Sequence, residues 1–95
     1  MAQEVDYWEN DVNYSEGPFV YVYLNSGRYR IEVDHGGLCP QLPDRSIHLL
    51  QDKLGHSVIT MLSREKAISL CDKLNEMVCN GEIIQNSGLW ICKED

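Results

Sequence analysis

Residues 58–81 read V-I-T-M-L-S-R-E-K-A-I-S-L-C-D-K-L-N-E-M-V-C-N-G, and they predict a strand that runs directly into a helix. Residues 58–62 are mostly β-branched or apolar, which is typical of a buried strand. Ser63 offers a hydroxyl to the unpaired N–H groups of a first helical turn. Glu65 adds a negative charge near the positive end of the helix dipole. The segment therefore marks the point at which the helix begins.

The predicted helix has one apolar face and a defined end. Asn80-Gly81 closes it with residues that tolerate a left-handed backbone, so we expect a helix over about residues 64–80. The three- and four-residue spacings that build one apolar stripe are kept by Ala67, Leu70, Cys71, Leu74 and Val78. The opposite face mixes both charges and predicts plain solvent exposure for Arg64, Lys66, Asp72, Lys73 and Glu76.

Charge is distributed unevenly along the chain of 95 residues, which has a formal net charge of −7. Residues 1–16 hold five acidic and no basic side chains, whereas residues 17–95 hold eight basic and ten acidic ones. We expect an N-terminal arm (residues 1–16) followed by one α+β domain (residues 17–95). Direct nucleic-acid binding is not expected, because phosphate contacts need clustered Lys and Arg. A protein partner with a basic surface is expected instead.

The N-terminal arm combines its acids with aromatic residues, which purely solvating acidic tails tend to lack. We expect the arm to fold back over the domain or to contact a partner; a frayed tail is the alternative. In an extended arm, acids two residues apart share one face about 6.6 Å apart, a spacing that could imitate phosphates along a strand. The predicted binding residues of the arm are Glu4, Asp6, Tyr7, Trp8, Glu9, Asp11 and Tyr14.

A first β-hairpin is predicted for residues 19–34, around the turn residues 25–27. We expect one face of this hairpin to pack into the core, through Val20, Val22, Leu24, Ile31 and Val33. The other face is then exposed, and its composition is either that of ordinary cross-strand pairs or that of an interface hot spot. The binding residues predicted on this face are Tyr21, Tyr23, Arg28 and Arg30.

The remaining segments predict further hairpins. Residues 35–44 contain two glycines and two prolines, so no helix is expected there. Residues 46–62 favour a second hairpin, with a short helix over residues 46–54, capped by Ser46, as the alternative. After the main helix, residues 83–92 predict a third hairpin or an extended edge around a second Asn-Ser-Gly. The expected fold is α+β: a mostly antiparallel sheet of four to six strands, built from successive hairpins, with one amphipathic helix on one face.

The sequence offers little chemistry for catalysis or for metal binding. A Cys39 nucleophile with His35 or His48 is available, but the flanking residues typical of thiol proteases are absent. No paired Cys or His spacing typical of zinc sites occurs, and no phosphate-binding loop is present. We therefore expect no metal, no cofactor and no enzymatic activity. Cys71 and Cys92 lie in apolar patterns and are expected to be buried, reduced thiols.

The function expected from these patterns is that of a small acidic protein-binding module. Its partner would carry a basic, nucleic-acid-binding surface, as in anti-defence proteins of phages or mobile elements and in immunity proteins. The alternatives are a self-associating structural or adaptor module, with a homodimer possible, and, less favoured, a thiol-dependent enzyme. The longest apolar run is six residues and the chain starts without secretory signal features, so a cytoplasmic protein without membrane segments is expected.

Overall fold

The computed structural model describes the backbone of residues 4–5 and the chain from residue 17 to residue 94. These residues form an α+β fold with two sheets. The strands are β1 (Glu4–Val5), β2 (Phe19–Leu24), β3 (Arg28–Val33), β4 (Gly36–Gly37), β5 (Ile83–Asn86) and β6 (Leu89–Cys92). The helices are α1 (Leu38–Gln41), α2 (Asp44–Leu54) and α3 (Arg64–Cys79), and a 3-10 turn spans Asn25–Gly27. The expected α+β class is confirmed, but the strands form two sheets and more than one helix packs on them.

The larger sheet has the strand order β1-β2-β3-β4, and the smaller one consists of β5 and β6. The neighbours β2, β3 and β4 run antiparallel, whereas β1 runs parallel to β2. The hairpin β5–β6 was expected, and it is antiparallel around Ser87-Gly88, both of which have positive φ. Within residues 17–94, no helix has the length and the apolar character needed to cross a membrane.

Helix α3 is the element whose sequence signals are confirmed at both ends. The Ser63 hydroxyl accepts a hydrogen bond from the Lys66 N–H at 3.4 Å, and Gly81 follows the helix with φ +78°. Of the predicted stripe, only Val78 is not fully buried, and Met77 takes its place in the core. The buried residues of α3 are Ala67, Leu70, Cys71, Leu74, Asn75 and Met77.

The hairpin β2–β3 is confirmed, and Ile31 and Val33 lie in the main core as predicted, but the two faces of β2 are the reverse of the prediction. Directly opposed residues share a face, and the register pairs Tyr21 with Ile31 and Tyr23 with Tyr29. The aromatic side of β2 therefore lies on the face packed into the main core, together with α3. Val20 and Val22 lie on the second face, where they form a separate small cluster. Both alternating sets of β2 are apolar, so the pattern alone was compatible with either orientation.

The second predicted hairpin is wrong, and the helical alternative is correct. Residues of this segment form α2, which buries Ile47 and Leu50. Ser46 is not the cap: it lies inside the helix, and its hydroxyl accepts a hydrogen bond from the Cys92 N–H at 3.0 Å. Residues 58–62 form no strand apart from one bridge, in which the Leu62 and Tyr29 backbones exchange hydrogen bonds of 2.7 and 2.8 Å.

The segment expected to be irregular also contains regular structure. A two-residue turn at Asp34 and His35, both with positive φ, returns the chain as β4, and the one-turn helix α1 follows. The turn also connects the two sheets, because Trp90 Nε1 donates a hydrogen bond of 2.7 Å to the Asp34 carboxylate. The prediction failed here because Pro40 lies in the first turn of α1, where a missing N–H costs nothing.

Candidate functional site

A surface cleft of about 830 Å³ lies between α3, the C-terminal end of α2 and the connection formed by residues 55–63. We call it the basic cleft, because its walls carry four basic side chains: Arg28, Lys53, Lys66 and Lys73. Three elements supply these side chains. Arg28 is the first residue of β3, Lys53 lies near the end of α2, and α3 carries Lys66 and Lys73.

Local geometry explains why these side chains converge. Lys66 and Lys73 are two helical turns apart on α3, so they lie along one face of the helix. Arg28 is next to Tyr29, whose backbone pairing with Leu62 fixes the start of β3 against the connection. The Ser57 hydroxyl donates to the Gln51 side chain at 3.2 Å and accepts from the Ile59 N–H at 3.3 Å, which holds the connection against α2.

Positive charge is concentrated in this cleft compared with the rest of the molecule. Half of the eight basic residues of the chain line it, whereas two of the fifteen acidic residues, Asp72 and Glu76, do so. With His56 neutral, its lining has a formal charge of +2 on a chain with a net charge of −7. Lys73 lies 3.7 Å from Glu76, an exposed pair of small energetic weight. Among residues 17–94, neither Arg28 nor Lys66 has an acidic partner.

The cleft also has an apolar component. Met61 is 63 % exposed on the connection, and Leu54 is half-buried at the end of α2. Beneath them, Leu62 and Leu70 are buried and belong to the core. Methionine and arginine are enriched in protein interfaces relative to the rest of a protein surface. The arrangement is therefore suited to a ligand that has both negative charges and an apolar side chain.

The residues predicted on the β2–β3 face are not brought together. Tyr21 is 4 % exposed and packs its ring 5.8 Å from that of Tyr29. Tyr23 is 46 % exposed and lies on the same face of the sheet as Tyr21. Arg30 lies on the opposite face, where its Nε donates to the buried Glu32 carboxylate at 2.6 Å. The expected exposed surface of tyrosines and arginines is therefore wrong, although Arg28 does line the basic cleft.

The predicted residues of the N-terminal arm fall almost entirely outside the described part of the chain. Glu4 lies in β1 with its backbone opposite Tyr21. The binding role of every predicted arm residue stays a prediction. The predicted arm residues that lie outside the described part of the chain are Asp6, Tyr7, Trp8, Glu9, Asp11 and Tyr14.

The described residues contain no disulfide and no cluster of metal-ligating side chains. All four thiols are free; Cys71 and Cys92 are buried, as expected, whereas Cys39 and Cys79 are exposed. Cys39 borders a second, smaller pocket of about 360 Å³ beside Arg30, and its thiol has no hydrogen-bond partner within residues 17–94. No three His, Cys, Asp or Glu side chains of the described residues come together as metal ligands.

Sequence reasoning missed the basic cleft because its residues are scattered along the chain. The seven-residue spacing of Lys66 and Lys73 was the one local signal, and it was interpreted as part of a solvated helix face. Lys53 could not be added, because its segment was expected to be a hairpin turn. Only the tertiary fold, which places the end of α2 and the start of β3 at the same cleft as α3, brings these charges together.

The chain matches no protein-family model, and no curated protein and no solved structure matches it at a significant level. Function is therefore inferred from the residues and the geometry of this chain alone.

Proposed function

We propose that the protein is a small protein-binding module whose acidic N-terminal arm engages a partner with a basic surface. The observation that carries this proposal is the attachment of the arm. Its residues Glu4 and Val5 pair in parallel with β2, opposite Tyr21 and Val22. The two residues that flank the acidic positions 6–16 in the sequence, Val5 and Gly17, therefore both belong to the described part of the domain. An arm that starts from the sheet is placed beside any partner that contacts this side of the domain.

Electrostatics and composition support the same proposal. Five acidic side chains within sixteen residues create a local negative field, which speeds the encounter with a positively charged surface. The arm also holds Tyr7, Trp8 and Tyr14, and large aromatic side chains frequently dominate binding energy in interfaces. A partner that uses its basic surface to hold nucleic acid would be inhibited by such a contact. Such an inhibitor would belong with the anti-defence proteins of phages or mobile elements or with the immunity proteins.

The cysteines support a location in the cytoplasm. The thiols of Cys39 and Cys79 are free and exposed, a state that a reducing compartment preserves. We place the protein and its partner there as part of the same proposal.

The test uses a partner captured by chemical crosslinking in the native host, identified by mass spectrometry and then purified. Its association with the wild type is compared with that of a variant whose arm is neutralised without loss of side-chain size. We expect the association rate constant to fall about tenfold and its dependence on salt to weaken. The four substitutions are Glu4→Gln, Asp6→Asn, Glu9→Gln and Asp11→Asn.

A matched control neutralises four acidic residues of the domain and changes the net charge equally. It should retain most of the wild-type association rate, because these four acidic residues lie outside the arm. An unchanged association rate constant in the arm variant would contradict the proposal. An equal decrease of the rate constant in the control would contradict it as well. Light scattering on the wild type measures its oligomeric state and so tests the self-associating alternative. A stable dimer that binds no partner would favour that alternative. The control substitutions are Asp44→Asn, Asp52→Asn, Glu65→Gln and Glu82→Gln.

A further inference from the structure

We propose that the basic cleft is a second docking surface and that it binds an acidic, extended segment of a partner protein. This surface has the opposite charge preference to the N-terminal arm, so it goes beyond the function proposed above. A module with both surfaces makes contact with a partner of mixed charge at two points, or with two partners at once.

Charge complementarity selects an anionic ligand. The cleft gathers four of the chain's eight basic side chains. Arg28 and Lys66 have no acidic partner among residues 17–94, so a carboxylate that binds them displaces no described ion pair. Arginine presents a planar fork that matches a carboxylate in two parallel hydrogen bonds. Two carboxylates of one ligand can therefore be held by two different elements, one by Arg28 of β3 and one by Lys66 of α3.

The shape and apolar content of the cleft select a peptide. Lys66 and Lys73 lie two helical turns, about 10 Å, apart along α3. An extended peptide spans this distance with about three residues. Met61 projects from the connection with 63 % exposure and, with Leu54, offers an apolar contact to a side chain between the carboxylates. An unbranched thioether side chain adapts to differently shaped ligands.

A nucleic acid fits this cleft less well than an acidic peptide does. Asp72 and Glu76 also line it, and they repel a phosphate backbone that passes along α3. Nucleic-acid affinity depends on many phosphate contacts along a regularly charged backbone, and the cleft offers four cations interrupted by two acids. An acidic peptide can instead place individual carboxylates beside the cations and apolar side chains beside Met61 and Leu54.

The experiment is a titration of the full-length, ¹⁵N-labelled protein with the blocked peptide acetyl-EELEELEE-amide, followed by amide chemical shifts. We expect shifts concentrated in residues 53–73 and at Arg28, and an affinity that falls as salt is added. The double variant Arg28→Glu/Lys66→Glu should bind at least about tenfold more weakly, because two attractive contacts become repulsive. The neutral variant Arg28→Gln/Lys66→Gln should lie between the two, and it keeps the test valid if the charge reversal unfolds the protein.

The matched control is Arg45→Glu/Lys93→Glu, which changes the net charge equally at basic residues outside the cleft. It should alter the affinity less than about threefold, through the long-range field alone. An equal loss in this control, or shifts centred on another surface, would overturn the proposal. Equal or tighter binding of an eight-residue oligothymidylate would also overturn it. The arm variant described above should keep its affinity for the peptide, so the two proposals can fail separately.

Discussion

The side-chain amide of Asn75 in α3 forms two hydrogen bonds with the backbone of Phe19, the first residue of β2. The Phe19 N–H donates to Asn75 Oδ1 at 2.8 Å, and Asn75 Nδ2 donates to the Phe19 carbonyl at 2.9 Å. The Cys71 thiol donates to the same carbonyl at 3.0 Å. Both Phe19 and Asn75 are buried. The amide of Asn75 thus takes the place of a neighbouring peptide and couples α3 to the sheet.

Replacement of Asn75 by leucine should destabilise the protein by about 2–4 kcal/mol, because two buried backbone groups lose a partner. The measurement is the free energy of unfolding from urea denaturation. The control is Asn80→Ala, which removes an exposed amide at the end of the same helix and should cost less than about 1 kcal/mol. A loss in Asn75→Leu no larger than in the control would show that the pair contributes little.

Gly17 should be intolerant of alanine because of its contact with Asn75. Gly17 has φ +145°, and an added Cβ would overlap Asn75 Cγ and lie 2.7 Å from Asn75 Cβ. We expect Gly17→Ala to cost about 2–4 kcal/mol, through backbone strain and displacement of the buried amide. Gly88→Ala provides the comparison, since Gly88 has φ +82° with nothing within 4 Å of the added atom. Its cost should be about 1 kcal/mol, from the backbone conformation alone. Equal costs in thermal or urea unfolding would contradict the steric explanation.

The cap at Ser63 should make a small but measurable contribution. Its hydroxyl accepts a long hydrogen bond, 3.4 Å, from the Lys66 N–H. Ser63→Ala should therefore lower the free energy of unfolding by about 0.5–1 kcal/mol, the lower part of the range for caps. In the same helix, Ser69→Ala replaces an exposed serine by a better helix former and should leave stability unchanged or slightly raised. The prediction fails if both variants change stability in the same direction by the same amount.

Stability should fall at alkaline pH through Cys71. Burial, with a smaller effect of Asp72, raises the pKa of the Cys71 thiol to about 12 from its ordinary 9.0. The thiol of the unfolded chain thus ionises first, so its contribution to stability is full below pH 9 and is lost as the pH rises towards 12. The added slope is at most about 1.4 kcal/mol per pH unit.

Urea unfolding between pH 8 and pH 10.5 measures this slope. Cys71→Ala should show a flatter decrease in the free energy of unfolding than the wild type. Cys79→Ala, which removes an exposed thiol from the same helix, should keep the wild-type slope. Identical slopes in all three proteins would mean that Cys71 does not titrate differently in the folded and unfolded states.

Local signals were sufficient where one short segment carried all the information. Helix α3 has its cap at Ser63, its apolar stripe and its Gly81 terminus within twenty residues, so its bounds could be predicted closely. The hairpins β2–β3 and β5–β6 were predictable because each has its turn residues between apolar runs. None of these features depends on a distant part of the chain.

Local signals failed where two structures were compatible with one pattern. Ile47 and Leu50 suit either a strand or a helix, and the packing of α2 against β6, with Ser46 bound to the Cys92 N–H, favours the helix. In β2 both alternating sets are apolar. Its orientation is decided by the position of α3, where Asn75 and the core residues receive the aromatic side.

The sequence by itself determined the main helix, two of the hairpins and the separation of charge between the arm and the domain, because each depends on neighbouring residues. The tertiary structure alone decided which face of β2 is buried, that residues 44–54 are helical, and that Arg28, Lys53 and Lys66 share one cleft. These outcomes depend on contacts between residues far apart in sequence, whose energies no local spacing or propensity contains.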